Sequence, residues 1–242
     1  MSRFLFVHGG WHGGWCWAET ERHLRALRHE THAPTLTGLG ERSHLANPDI
    51  DADLHVRDIL NVIRWRELDD VILVGHSYGG TVITGVAGQW PEKIAALVYL
   101  DAFVPEESGV SLFASANPER MKRFDAQIAE GRFTVEPDLF HAWTDDPEKR
   151  EWLRKLCTPH PIECFRRGVT LSGREVEVRA RHYIVAERNK PSAFWAEYER
   201  VRARPEWQVA RIDAMHDAMV EKPRELATML DEIAGGVAGE KA

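Results

Sequence analysis

The 242-residue sequence predicts an α/β protein built on a mostly parallel six-stranded sheet with flanking helices. Six short runs are rich in β-formers and apolar on both faces, as strands covered by helices should be. The segments between the first four runs show helical spacing of apolar residues, and this alternation is typical of an open α/β sheet. The predicted strands are RFLFV (3–7), HETHA (29–33), VILVG (71–75), ALVYL (96–100), HYIVA (182–186) and WQVARI (207–212).

A long interruption separates the fourth predicted strand from the fifth. Residues 105–180 are too numerous to lie structureless in a compact domain, and their patterning is helical. We therefore expect a helical cap inserted over the carboxyl edge of the sheet, where open α/β folds bind ligands. The predicted organisation is a core of 1–104 and 181–242 with a cap of 105–180.

Composition excludes several classes of function. The formal charge of -7 disfavours a nucleic-acid partner, which would require a clustered basic surface. The N-terminal apolar run is too short for a signal peptide or a membrane span, so we expect no membrane partner. Cys16, Cys157 and Cys164 show no metal-like pairing and indicate reduced thiols in a cytoplasmic protein. His8 and His12 are separated by glycines, and we expect neither a metal site nor a cofactor.

The stretch GHSYGG (75–80) places a serine where a predicted strand meets a predicted helix. A Gly-x-Ser-x-Gly pattern in that context is typical of a nucleophile presented on a sharp turn. Gly75 and Gly79 remove Cβ atoms where strand and helix would otherwise collide. Ser77 is therefore the candidate nucleophile. The alternative is a glycine-rich turn with an incidental serine.

A serine hydroxyl needs a base that removes its proton and donors that stabilise an oxyanion. The loop after the last predicted strand contains His216, the candidate base, with a surface histidine as the alternative reading. The backbone N–H of Tyr78 follows the nucleophile directly. Gly10, just beyond the first strand, is the candidate for the second backbone donor.

Three motifs in this order, FVHGGWHGGWCW, GHSYGG and HDAMVEKPRELA, resemble the α/β-hydrolase superfamily. Within it the sequence is similar to the branch that contains plant methylesterases, hydroxynitrile lyases and many bacterial esterases. The resemblance spans most of the chain and is weakest through the cap. It implies the α/β-hydrolase fold and a triad of serine, histidine and an acid.

The acid is where the sequence departs from the family pattern. The family usually has an aspartate after the penultimate strand, and Asn189 stands there, with Glu187 nearby. Asp101 closes the fourth predicted strand, a position similar to that of the catalytic acid in some haloalkane dehalogenases. We expect Asp101 rather than Glu187 to be the acid, with Asn189 contributing hydrogen bonds. An aspartate that closes a strand can also simply cap the next turn.

The predicted function is hydrolysis of a small-molecule carboxylic ester through an acyl-enzyme on Ser77. One alternative is cyanohydrin cleavage, but similar lyases carry a threonine and a lysine where Gly9 and Asp217 stand here, and Asp217 would repel cyanide. A second alternative is a ligand-binding protein that has kept the fold and lost catalytic activity. Asn189 motivates this hypothesis, because it stands where the acid is expected.

Aromatic residues are the candidates for the walls of a substrate pocket, although aromatics in a cap more often serve packing. Oligomeric state is not readable from the sequence, and a homodimer is the common case among soluble enzymes. The candidate pocket residues are Trp11, Phe103, Phe140 and Trp143.

Overall fold

Six parallel strands form one sheet in the order β2-β1-β3-β4-β7-β8. The computed structural model describes residues 1–239, so the last three residues of the predicted second core segment lie outside it. Two further strands, β5 and β6, form a separate antiparallel pair. The strands are β1 (Arg3–Val7), β2 (Glu30–His32), β3 (Val71–His76), β4 (Ile94–Leu100), β5 (Thr134–Val135), β6 (His160–Pro161), β7 (Arg181–Ala186) and β8 (Trp207–Ile212).

Helices cover both faces of the sheet, and α4 to α8 lie in the segment between β4 and β7. In the part of the chain described, none of them is both long and apolar enough to cross a membrane. The α-helices are α1 (Ala18–Ala26), α2 (Ala52–Trp65), α3 (Gly79–Gln89), α4 (Leu112–Ala116), α5 (Pro118–Ala129), α6 (Phe140–Trp143), α7 (Pro147–Leu156), α8 (Glu163–Arg166), α9 (Ala193–Val201), α10 (Ala218–Glu221) and α11 (Pro223–Gly239).

The predicted fold class is confirmed, because each of the six predicted runs lies on a strand of the large sheet. Alternating side chains of these strands enter two separate apolar cores. In β1, Phe4 and Phe6 face the core formed with α1 and α11, whereas Leu5 and Val7 face the other core. Burial on both faces explains why the strands read as continuous apolar runs.

The strand order creates a crevice at the carboxyl ends of β1 and β3. β1 pairs with β2 on one side and with β3 on the other, so the connections that follow β1 and β3 leave in opposite directions. Ligands bind at such switch points in open α/β sheets. The loops that follow these two strands contain Gly10 and Ser77.

The segment between β4 and β7 contains the helices α4 to α8, and it also contains the β5–β6 pair. Thr134 pairs with Pro161 and Val135 with His160. These strands are not predictable from the sequence, because two residues are too few to show a strand period. Buried residues of the segment share one apolar core with the sheet. Its treatment as a separate cap of 105–180 therefore stays a prediction.

The start of α3 packs so closely on the loop after β4 that a methyl group at Gly80 would not fit. A Cβ there would lie 2.2 Å from the Phe103 carbonyl oxygen and 2.9 Å from Ala102 Cβ. We expect Gly80→Ala to lower the free energy of unfolding in urea by about 1–3 kcal/mol, the usual cost of overpacking.

The matched control is Gly236→Ala on α11, where a Cβ would meet nothing within 4 Å. Because alanine has the higher helix propensity, this change should leave stability equal or raise it by up to about 1 kcal/mol. Equal destabilisation by the two variants would contradict the close approach of α3 and the β4 loop.

Candidate active site

The turn that carries Ser77 is strained and is held by the neighbouring strand. Ser77 lies between the end of β3 and the start of α3 with φ at 54°, in the left-handed region. Its N–H donates to the Leu100 carbonyl at 3.2 Å, and its own carbonyl accepts from Phe103 N–H at 3.2 Å. Strain of this kind, on the order of 1–3 kcal/mol, persists only where surrounding structure enforces it.

The two glycines of the motif stand where the backbone segments nearly touch. A Cβ on Gly75 would lie 2.6 Å from the Gly79 carbonyl oxygen, and one on Gly79 would lie 2.5 Å from the Val7 carbonyl oxygen. Residues with side chains would force strand and helix apart. Glycine at positions 75 and 79 is therefore explained by the close approach of β1, β3 and α3.

Ser77 and Asp101 directly follow the last residues of the neighbouring strands β3 and β4. His76 pairs with Leu100 in the β3–β4 ladder, and Ser77 and Asp101 are the next residue of each strand. Asp101 also has a positive φ, at 41°. It is fully buried, and its Oδ1 accepts from Ala186 N–H at 3.2 Å.

The Asp101 carboxylate contacts the His216 ring. Oδ2 of Asp101 lies 2.7 Å from Nδ1 of His216, and the carboxylate can only accept, so Nδ1 carries the proton. The same ring stacks on Phe194, with centroids 4.6 Å apart and planes 12° apart. With Nδ1 engaged, Nε2 is the ring nitrogen left to act on the cavity that His216 and Ser77 both line.

The two other residues considered for the acid lie in different surroundings. Glu187 is exposed and faces Arg211 at 3.6 Å. Asn189 Nδ2 donates to Asp101 Oδ2 at 2.7 Å and lies 3.3 Å from His216 Nδ1. Two N–H donors therefore meet on one carboxylate oxygen, and the Asn189 amide restrains the Asp101 side chain.

The two predicted backbone donors, Gly10 and Tyr78, line the same cavity as Ser77. The Trp11 N–H, next along the chain from Gly10, is engaged by His160 Nδ1 at 3.1 Å and is unavailable to an oxyanion. The Tyr78 hydroxyl contacts His55, with 2.9 Å between the oxygen and His55 Nδ1. Burial raises the pKa of the Tyr78 hydroxyl well above its usual range, so it stays neutral.

The cavity has a volume of about 320 Å³ and a largely aromatic wall. Trp11, Phe103 and Trp143 line it as expected. Phe140 does not: its ring packs behind Trp143, 4.9 Å between centroids, with the Arg154 guanidinium on it at 4.6 Å.

Sequence reasoning missed three aromatic wall residues and three polar ones. Neither spacing nor a local motif marks them, because they reach the cavity only through the packing of the inserted segment and of α9. They are Phe113, Phe165, Phe194, Asn117, Arg120 and Ser192.

Among the described residues, two groups of buried side chains have the composition of metal ligands, and one of them includes His216 of the cavity wall. In the other group His55 donates from Nε2 to the Thr37 carbonyl and accepts at Nδ1 from Tyr78, both at 2.9 Å. His160 accepts at Nδ1, so its Nε2 carries the proton. Neither ring therefore offers a lone pair as it stands, and the prediction that there is no metal stays a prediction. The groups are His55, His160 and Cys164, and His76, His216 and Asp217.

Asp217 is not where the argument against cyanohydrin cleavage placed it. Its Oδ2 lies 2.9 Å from His12 Nε2, both side chains are buried, and Asp217 is absent from the cavity wall. The expected repulsion of departing cyanide by Asp217 therefore fails as an argument. What remains is that a carboxylate, and no lysine ammonium, follows His216.

Comparison with known proteins agrees with this architecture. The chain is 40% identical over 242 residues to a carbendazim hydrolyzing esterase from Nocardioides sp. (strain SG-4G), covering 95% of this chain and 98% of that protein. Methylesterase 4 from Arabidopsis thaliana is 35% identical over 107 residues, which cover 43% of this chain and 41% of the plant protein.

Two solved structures share the fold at low sequence identity. An extracellular α/β-hydrolase from a Paenibacillus species superposes with a TM-score of 0.82 at 21% identity, covering 96% of this chain and 99% of that one. A methylesterase from Arabidopsis superposes with a TM-score of 0.76 at 23% identity, covering 97% and 99%. The alpha/beta hydrolase family matches residues 4–229, nearly the whole chain. With this match and the Nocardioides relative, the chain belongs to the alpha/beta hydrolase family.

Proposed function

We propose that the protein is a serine esterase that hydrolyses small-molecule esters through an acyl-enzyme on Ser77. His216 Nε2 removes the Ser77 proton while Oγ bonds to the substrate carbonyl carbon. The carbonyl oxygen becomes an oxyanion that accepts from the N–H groups of Gly10 and Tyr78. His216 then gives the proton to the leaving oxygen, and the carbon–oxygen bond breaks.

Water then hydrolyses the acyl-enzyme, and the same residues act as base and acid. His216 removes a proton from water, the hydroxide attacks the acyl carbon, and Ser77 regains its proton as the acid leaves. Asp101 remains ionised throughout and stabilises the imidazolium that forms twice in each turnover.

The observation that carries this proposal is the 2.7 Å contact between His216 Nδ1 and Asp101 Oδ2 at a cavity that Ser77 also lines. The contact fixes the tautomer in which Nε2 is a base. It also supports a triad in spite of Asn189, because a carboxylate reaches the histidine from the neighbouring strand.

For the substrate we propose a small ester or carbamate with a planar aromatic portion. The relative that is 40% identical is named for carbendazim, a methyl carbamate on a benzimidazole ring. A cavity of about 320 Å³ walled by Trp11, Trp143 and Phe165 suits such a group through stacking and edge contacts.

Replacing the nucleophile is the first test. Ser77→Ala should lower kcat by on the order of 10⁶, as removal of a triad serine does elsewhere, with p-nitrophenyl acetate and carbendazim as substrates. A fluorophosphonate should label the wild type at Ser77 and leave the variant unlabelled. Circular dichroism and the Tm should show that the variant is folded.

The same experiment separates the alternatives. A wild-type protein that neither labels nor turns over either ester would be a binding protein. Cyanide release from a cyanohydrin without ester hydrolysis would identify a lyase. Full activity in Ser77→Ala would contradict the mechanism itself.

A pair of carboxamide substitutions tests the acid. Asp101→Asn keeps the shape but removes the charge that stabilises imidazolium, and we expect kcat to fall by about 10⁴. Glu187→Gln, at an exposed carboxylate outside the cavity wall, should change kcat by less than about threefold, because exposed ion pairs have small effects. Steady-state kinetics on both variants decides the assignment, and the reverse order of effects would transfer the role to Glu187.

A further inference from the structure

A second histidine–carboxylate pair lies beside the proposed triad and takes no part in the steps above. His12 Nε2 is 2.9 Å from Asp217 Oδ2, and the two side chains are 1% and 0% exposed. The other ring nitrogen, Nδ1, is 2.7 Å from the Gly10 carbonyl oxygen. A buried charge without a partner would cost several kcal/mol, so each side chain of this pair needs the other.

The hydrogen bonds determine where the protons are. The Gly10 carbonyl can only accept, so His12 Nδ1 carries a proton. The second contact needs one proton between the His12 ring and the Asp217 carboxylate. Burial opposes a charge on the His12 ring, but the Asp217 charge, the hydrogen bond to Asp217 and the Gly10 carbonyl raise the pKa of the ring, which favours the proton on His12. With the proton there, His12 is an imidazolium that donates twice.

This pair joins the segments that supply the two halves of the proposed mechanism. Gly10 belongs to the loop after β1 and offers the oxyanion donor, whereas Asp217 directly follows the base His216. Asp217 N–H donates to the Trp143 carbonyl at 3.0 Å. This bond connects Asp217 to α6 and to a residue of the cavity wall. The Trp143 ring also packs on His12, with centroids 4.8 Å apart.

We propose that His12 and Asp217 are positioning residues. Their ion pair holds the loop after β1, which contains Gly10, at a fixed position relative to the loop after β8, which contains His216, and deprotonation of His12 in alkaline solution releases this restraint. The proposal rests on the proposed esterase function. Neither side chain touches substrate. Loss of the proton leaves a lone pair facing either the Gly10 carbonyl or the Asp217 carboxylate, and one contact becomes repulsive.

The direction of the pH effect follows from the surroundings of His12. Burial lowers the pKa of the His12 ring, but the Asp217 charge, the hydrogen bond to Asp217 and the Gly10 carbonyl together raise it above the usual 6.5. A group with a raised folded-state pKa contributes stability that is complete below its unfolded pKa and is lost as pH rises through the folded one. The restraint should therefore be complete below the unfolded pKa of about 6.5 and be lost as pH rises through the raised folded-state pKa of His12.

Other ionisable groups around the pair do not compete for this titration. Burial lowers the pKa of His8 to about 3, and it lowers the pKa values of His76 and His160 well below 6.5, so these rings are neutral. The thiols of Cys16 and Cys157 have pKa values raised by burial and by the Asp217 charge, so they stay protonated. The ring of His216 packs on that of His76, with centroids 4.4 Å apart.

The test uses Asp217→Asn, which keeps the size and an acceptor but removes the charge. We expect kcat to fall by on the order of 10²-fold or less, the scale of small misplacements near a reacting centre, with KM changed by less than about twofold. The alkaline limb of the kcat/KM profile should move to lower pH by about one unit or more, since His12 loses the charge that holds its proton. A purely structural role would lower activity equally at every pH.

Asp213→Asn is the matched control. Asp213 lies in the same loop after β8, is 68% exposed and pairs with Arg188 at 3.3 Å. This variant should keep the wild-type pH profile and kcat.

A direct measurement on the wild type keeps the proposal falsifiable even if the Asp217 variant does not fold. Nitrogen-15 histidine NMR, with His12 assigned from His12→Gln, should show both ring nitrogens protonated at about pH 7.5, where an ordinary histidine is mostly neutral. A neutral His12 ring at that pH, or a folded Asp217→Asn with an unshifted alkaline limb, would overturn the proposal. Failure of the esterase function would instead appear as missing fluorophosphonate labelling, with the NMR result unaffected.

Discussion

The hydrogen bond between His216 Nδ1 and Asp101 Oδ2 is the contact on which the site depends. It selects the ring tautomer, leaves Nε2 free of this bond at the cavity that His216 lines, and places a carboxylate beside the ring that an imidazolium would need. Parallel pairing of β3 and β4 makes it possible, because the ladder ends with His76 opposite Leu100 and releases Ser77 and Asp101 together. Both residues adopt positive φ, so the backbone is strained at two adjacent strand ends to present nucleophile and acid at one edge.

The acid that we propose comes from the end of β4, while an amide occupies the position after β7 where the family pattern has a carboxylate. Asn189 donates to the same Asp101 oxygen as His216, which stabilises the ionised carboxylate and restrains its rotation. A second carboxylate at that point would face Asp101 as a like charge in a buried setting and favour protonation of one of them. The exchange of aspartate for asparagine is thus compatible with a working triad once the acid has moved.

Much of the fold and part of the site followed from the sequence. Runs such as RFLFV and WQVARI showed the strands because both faces of the sheet are buried, and the glycines at 75 and 79 marked a turn where backbones nearly touch. Local sequence patterns do not show which side chains from distant segments meet in the folded protein. Phe113, Phe165 and Phe194 reach the cavity from distant segments, Phe140 lies behind the wall, and Asp217 turns inward to His12 because that ring is buried beside it.

The most direct test of this account is a crystal structure of the adduct that a fluorophosphonate forms with the wild-type protein. The account predicts phosphorus bonded to Ser77 Oγ, with a phosphoryl oxygen about 2.7–3.1 Å from the N–H groups of Gly10 and Tyr78. It also predicts that His216 Nδ1 remains on Asp101. An adduct on another residue, or a His216 ring turned to Glu187 or to no carboxylate, would contradict it.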